Sequence, residues 1–465
     1  MRITHPTTFT TTAITATCVI IAALTLLFPP PLSAHPTAQS ASPTPATTAS
    51  ARLARLLEKH TPPSGPDLST PYATVTTHTA PAVAMIARDD FEGAIRRLTT
   101  DLARTTTGTL HIETTLWLGI ANAQMAINYP TSDTASEHAT SAALHLQQAF
   151  QLDPATRAAP DALRVLAEIT ALGLTEDAPQ AALDAATRKA ETTRDALDFY
   201  YAGVLSRRLA AIAWAHRDTT ELDQRTLALF AKALALDPAN YEIWSAYLPA
   251  LRPVNLHAVA DAEAEAMYPF FKNLRTPTLA EQGPAVLKIT NVHMRTPDDD
   301  RRILDEVSTR WPDAPMPPFE IAMRAIETTP ALALELFPKL IADFETGKLH
   351  PTPREAGYHV SALYKYAFLL HSQEKIGESL DYYKKVVALS PHYAEVHLNI
   401  AIINYQLAQK ETEPAKKQQH LDEADTQLDY QAAYDYRGKT LERVGKLREE
   451  ILQARTGATP TPTKE

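Results

Sequence analysis

The sequence predicts an all-α chain, an α-solenoid of antiparallel helix pairs, and three observations predict it. Glycine is scarce, at 13 of 465 residues, while alanine is abundant. Ala is the best helix former, and a Gly-poor chain lacks the positive-φ residues that hairpins and phosphate loops need. Apolar side chains recur with the 3.6 period over runs of roughly 12 to 18 residues, set off by Pro- and Asp-bearing turns. Three segments then end in the same way, in Leu-Asp-Pro or Leu-Ser-Pro.

Those segments are 142–154 (AALHLQQAFQLDP), 226–238 (TLALFAKALALDP) and 379–391 (SLDYYKKVVALSP). Twelve residues before each proline stands a small residue, Ala142, Thr226 or Ser379. Eight before it stands a large one, Leu146, Phe230 or Tyr383, and five before it Ala149, Ala233 or Val386. These offsets share one helical face. The small positions let a partner helix approach, the large one fills the gap, and the proline bars its predecessor from the α region. Residues 89–102 (DDFEGAIRRLTTDL) look like the same helix without the terminal proline.

This small–large–small–proline pattern resembles the second helix of tetratricopeptide repeats. The clearest unit is 360–391; residues 394–401 resemble the first helix of a following unit, as do Trp117-Leu118-Gly119 and 241–247 elsewhere. The spacing departs from the family, because Pro154, Pro238 and Pro391 do not fall at multiples of one repeat length. The resemblance implies a concave face lined by first helices that holds a protein or peptide. Carried onto this chain, the lining positions are Tyr364, Phe368 and His371, then Leu398, Ile402, Tyr405 and Gln406. The family's clamp for terminal carboxylates needs Lys and Asn where this chain has Tyr364 and Phe368; Asn399 is the one clamp-like match. The implied groove is aromatic and apolar, suited to an extended or helical apolar segment.

The expected organisation is a signal peptide over 1–34, a Thr/Pro/Ala-rich linker with a short helix over 35–81 and a helical array over 82–250. A divergent helical segment follows over 251–355, either degenerate repeats or an insert. Repeats with a capping helix occupy 356–455, and a polar tail 456–465. The first segment combines Arg2 and the terminal amine, an apolar run from Ala13 to Phe28, Pro29-Pro30-Pro31 and a small residue at Ala34. As a helix that run reaches about 24 Å, short of the roughly 30 Å hydrocarbon core, which favours export over an uncleaved anchor. The capping helix is expected as one element from His420 to Ala454, with Leu441, Val444, Leu447 and Ile451 as its apolar stripe; a short coiled coil is the competing reading.

A net charge of −10 excludes the basic footprint of a nucleic-acid binder. Cys18 is the only cysteine and lies in the expected signal peptide, so the mature chain has no thiol for a disulfide, zinc or nucleophile. No phosphate loop, dinucleotide loop, zincin or nucleophile-elbow motif occurs. Asp298-Asp299-Asp300 reads as a helix cap rather than a metal site. His138 and His145, or His392 and His397, are not spaced to place two ligands side by side. No cofactor or metal is expected. The functional expectation is an exported scaffold or adaptor of the bacterial cell envelope, periplasmic or secreted. It would bind a protein or peptide, not nucleic acid, and no membrane once the signal is cleaved. The alternatives are a helical enzyme acting on envelope polysaccharide and a membrane-anchored assembly factor.

Overall fold

The computed structural model describes residues 75–251 and 312–456, apart from 131, 160, 176–177, 215–217, 239 and 435–440, together with 259, 260, 263 and 309. The expected signal peptide, most of the linker, the Asp298–Asp300 cap and the tail lie outside the described residues. Among these residues every regular element is helical. In chain order they are α1 (Ala80–Ala87), α2 (Phe91–Arg104), α3 (Gly108–Asn128), α4 (Ala135–Leu152), α5 (Ala162–Ala171), α6 (Pro179–Thr193), α7 (Ala196–Ala213), α8 (Thr220–Leu236) and α9 (Tyr241–Ala250). After the break come α10 (Met316–Thr328), α11 (Pro330–Glu345), α12 (Gly357–Ser372), α13 (Ile376–Leu389), α14 (Ala394–Lys410), α15 (Pro414–Tyr434) and α16 (Leu441–Thr456).

Local chemistry sets the boundaries. Asp90, Asp195 and Asn240 cap α2, α7 and α9, each accepting from backbone N–H groups of the first turn. The three repeated prolines stand just past α4, α8 and α13, which end at Leu152, Leu236 and Leu389.

The helices pack as pairs. α1 packs on α2, α3 on α4, α7 on α8, α10 on α11, α12 on α13 and α14 on α15. The first helix of a pair also meets the first helix of the next, as α3 meets α5, α5 meets α7 and α10 meets α12. Second helices meet the following first helix, as α2 meets α3, α6 meets α7 and α13 meets α14. This two-row connectivity is the tetratricopeptide-like solenoid expected from sequence.

The small–large–small triplets hold the pairs together. Ala142, Leu146 and Ala149 of α4, Thr226, Phe230 and Ala233 of α8, and Ser379, Tyr383 and Val386 of α13 are all buried. Leu146 seats on Gly119 of α3 and Phe230 on Gly203 of α7, where a Cβ would lie 2.8 Å and 2.6 Å from those side chains. Gly203→Ala should therefore cost about 1–3 kcal/mol through overpacking. Chemical denaturation checks this: an unchanged midpoint would mean the α7–α8 contact is looser than described.

The same triplet recurs where no proline marks it. Ala94, Leu98 and Asp101 of α2, Ala333, Phe337 and Leu340 of α11, and Ala424, Leu428 and Gln431 of α15 are buried at identical spacing. The described end of the divergent segment is thus a further helix pair, α10 and α11.

One expectation is corrected. The capping element is a hairpin, α15 and α16, not a single helix from His420 to Ala454. Arg448 pairs with Asp429 at 2.7 Å, and Arg455 with Asp422 at 2.7 Å and Asp425 at 2.5 Å. Rising numbers on one helix meet falling numbers on the other, so the two run antiparallel. The intervening sequence carries Gly438, the residue type that costs about 1 kcal/mol in a helix interior. Val444, Leu447 and Ile451 are buried against Leu398, Ala401, Leu421 and Leu428.

The two described stretches also meet. α1 packs on a 3-10 turn, Pro353–Glu355, that precedes α12. The Ser390 hydroxyl donates to the Arg88 carbonyl at 3.0 Å, and Arg354 pairs with Asp161 at 2.7 Å.

Candidate protein-binding face

Within each described stretch the first helices form a row, and the resemblance places such a row on the concave side. Of the seven expected lining residues, six are half-buried and one is not. Tyr364, Phe368 and His371 lie along one face of α12, at positions three and four apart. The Tyr364 ring lies 5.8 Å from that of Tyr383 and 5.1 Å from that of Tyr393. Its hydroxyl donates to the Glu395 carboxylate at 3.4 Å and accepts from Asn399 at 3.3 Å. Burial, with the Glu395 charge, pushes the Tyr364 phenol well above its ordinary range. The Lys365 ammonium sits 5.6 Å from the Tyr364 ring centroid, and burial lowers its pKa.

About two helical turns beyond Tyr364, His371 Nε2 faces Gln406 Oε1 at 3.1 Å. A carbonyl-type oxygen accepts, so Nε2 carries the proton in this arrangement. Burial lowers the His371 pKa, opposed by the Gln406 hydrogen bond. Both cross-helix links, Tyr364 to Asn399 and His371 to Gln406, span 35 residues. α12 and α14 are therefore in register along the row, and Asn399 spends its amide on Tyr364.

The strip ends sooner than expected. Leu398 is a core residue, 3 % exposed, packed with α15 and α16. Ile402 and Tyr405 are half-buried and pack against the same cluster. The physical reason is the hairpin: α16 occupies the place of a next first helix and covers that side of α14. Phe368, His371 and Gln406 remain half-buried outside the apolar clusters, with Tyr364 at their edge, packed on Tyr383 and Tyr393.

A polar group beside α5, in the first stretch, was not foreseen. Asp161 stands before α5 in the left-handed region, φ 71°. Its Oδ1 accepts from Arg164 at 3.0 and 2.8 Å, and its Oδ2 from Arg354 at 2.7 Å. Arg164 also reaches Glu168 at 2.7 Å. Burial alone would raise the Asp161 pKa; the two guanidiniums outweigh it and hold the carboxyl far below its usual range. Glu242 of α9 is pushed up by burial and by the Asp161 charge, with Arg354 and Arg164 opposing. The spacing of Asp161, Arg164 and Glu168 is legible as one helical face, but nothing local points to Arg354.

For Glu320 of α10, burial acts with no opposing charge. Burial raises it from 4.5 to about 7. A raised carboxyl keeps its proton in the fold after the unfolded chain has lost it, so stability falls as pH rises from about 4.5 to 7. Glu320→Gln should therefore stabilise the protein at pH 8 by about 1 kcal/mol or more and do little at pH 4. Equal effects in denaturation at both pH values would contradict this.

The paired histidines serve structure. His138 bonds Asn122 at 2.8 Å, and His145 the Ser141 carbonyl at 2.7 Å. His397 spans Gln427 and the Pro391 carbonyl, each at 2.7 Å.

No family model and no curated protein matches the chain. Among solved structures it is similar to yeast Tom70, at 17% identity over 89% of this chain and 86% of that one, with a TM-score of 0.44. It is also similar to the Cut9–Hcn1 hetero-tetramer of the APC/C, at 14% identity over 80% and 82%, with a TM-score of 0.31. A third is Naa15/Naa10 bound to HypK-THB, at 15% identity over 90% and 69%, with a TM-score of 0.21. The helix-pair packing, rather than these likenesses, identifies the fold as tetratricopeptide-like.

Proposed function

We propose that this chain is an exported scaffold that holds a segment of another protein against its first-helix row, in the bacterial cell envelope. The observation that carries the reading is the α12 strip. Tyr364, Phe368 and His371 keep half-buried aromatic and imidazole surface on a row whose neighbours in α14 are already in register with it. Rigid aromatic side chains give much contact area for little ordering cost, which suits anchors in a partner's path. On this reading the chain acts by holding, and neither a catalytic residue nor a cofactor is assigned.

The test is site-specific photo-crosslinking in the native host, with the reactive side chain at Phe368 and, as control, at exposed Lys384 on second helix α13. A discrete partner captured from Phe368 and not from Lys384 supports the reading; identical products from both sites contradict it. Export is tested separately: the mature protein should begin at or near His35, and an intact Met1 in a membrane fraction would overturn that part.

A further inference from the structure

Among the described residues, the two halves of the array share no buried apolar cluster. The buried apolar clusters of the first half draw on residues up to Ala260, and those of the second half begin at Phe319; neither set contains a residue of the other. Among the described residues the junction is crossed by polar and backbone contacts and by a shallow pocket that Phe91, Met125 and Tyr129 line together with His392 and Tyr434. Arg354 pairs with Asp161 at 2.7 Å, and the Ser390 hydroxyl donates to the Arg88 carbonyl at 3.0 Å. His392 stands 3.8 Å from the Asp90 carboxylate. Gly357, the first residue of α12, lies so close to the end of α1 that a Cβ would come within 2.2 Å of the Ala87 carbonyl oxygen.

From this we infer that the junction is a clasp, and that it opens while both halves stay folded. Stabilisation by burial scales with apolar area removed from water, and among the described residues no buried apolar cluster draws on both halves. A partly exposed ion pair adds little, and polar contacts of this kind characterise domain interfaces whose partners move. Asp161 is the shared catch: one oxygen is held by Arg164 of its own half, the other by Arg354 of the opposite half. When the clasp opens, Asp161 keeps Arg164, so the carboxylate retains a counter-charge within its own half. Because Asp161 precedes α5 and Gly357 starts α12, opening changes access to both first-helix sites described above. That consequence rests on the scaffold reading; the clasp itself does not.

The experiment is a distance distribution between spin labels on Thr99→Cys and Lys384→Cys, one exposed site in each half, in the full chain carrying Cys18→Ser. The unmodified junction should give one narrow distribution. Gly357→Val, which wedges the contact, and Arg354→Met, which removes the catch without touching the backbone, should each add a longer component. The open-to-closed ratio should rise at least about tenfold, or ~1.4 kcal/mol, with helical dichroism unchanged. A distribution unaltered in both variants would overturn the inference. So would a longer distance accompanied by loss of helix, since the halves would then be unfolding rather than parting. Neither outcome bears on whether Phe368 captures a partner.

Discussion

Tyr383→Ala should lower stability by about 3–5 kcal/mol, the cost of emptying an aromatic site in a packed core. Tyr383 is fully buried, lies at the large position of the α13 triplet and packs against Tyr364. Its hydroxyl has no hydrogen-bond partner among the described residues. The ring, then, carries the stabilisation, and Tyr383→Phe should stay within about 1 kcal/mol of the parent. Denaturation of both variants decides the matter. Loss of stability in Tyr383→Phe comparable to that in Tyr383→Ala would show that the hydroxyl is structurally engaged.

Asp198→Ala should cost about 3 kcal/mol or more. This carboxylate, on the first turn of α7, is buried and takes Arg157, Lys189 at 3.0 Å and Thr193 at 2.8 Å. Removing it strands Arg157, whose side chain is only 20% exposed, without its main counter-charge. Burial acts to raise the Asp198 pKa, but the Lys189 and Thr193 hydrogen bonds and the two cations prevail and lower it. A depressed carboxyl contributes stability that is present above the unfolded pKa of about 3.9 and is lost as pH falls through the folded value. The difference between parent and Asp198→Ala should therefore be full at pH 7 and shrink below about pH 4. A difference independent of pH would assign the loss to packing instead.

The sequence pattern made the repeat legible wherever a Leu-Asp-Pro or Leu-Ser-Pro terminator announced it, and all nine triplet side chains it pointed to are buried. It was silent for α11 and α15. Ala333-Phe337-Leu340 and Ala424-Leu428-Gln431 keep the spacing, but no proline follows at the matching offset, and Pro338 stands inside α11 instead of ending it. Reading the triplet without requiring its stop would have found both. The α15–α16 hairpin was missed because its polar faces continue the helical period through Gly438, so that charge patterning alone did not mark the turn. Leu398 was read as a lining residue because α14 alone leaves it on an open face; it becomes core only once α16 returns over it. The contact of Arg354 with Asp161 joins positions 193 apart, and no local periodicity encodes it.

The central claim is that α12 presents a strip distinct from the core that closes beside it, and melting temperatures of two variants test it most directly. Phe368→Ala removes a half-buried ring on the strip, while Leu398→Ala empties a site packed with Val444, Leu447 and Ile451. Leu398→Ala should cost roughly 2–5 kcal/mol and lower the melting temperature clearly, whereas Phe368→Ala should lower it distinctly less. A fall for Phe368→Ala as large as that for Leu398→Ala would place Phe368 in the core and contradict the strip.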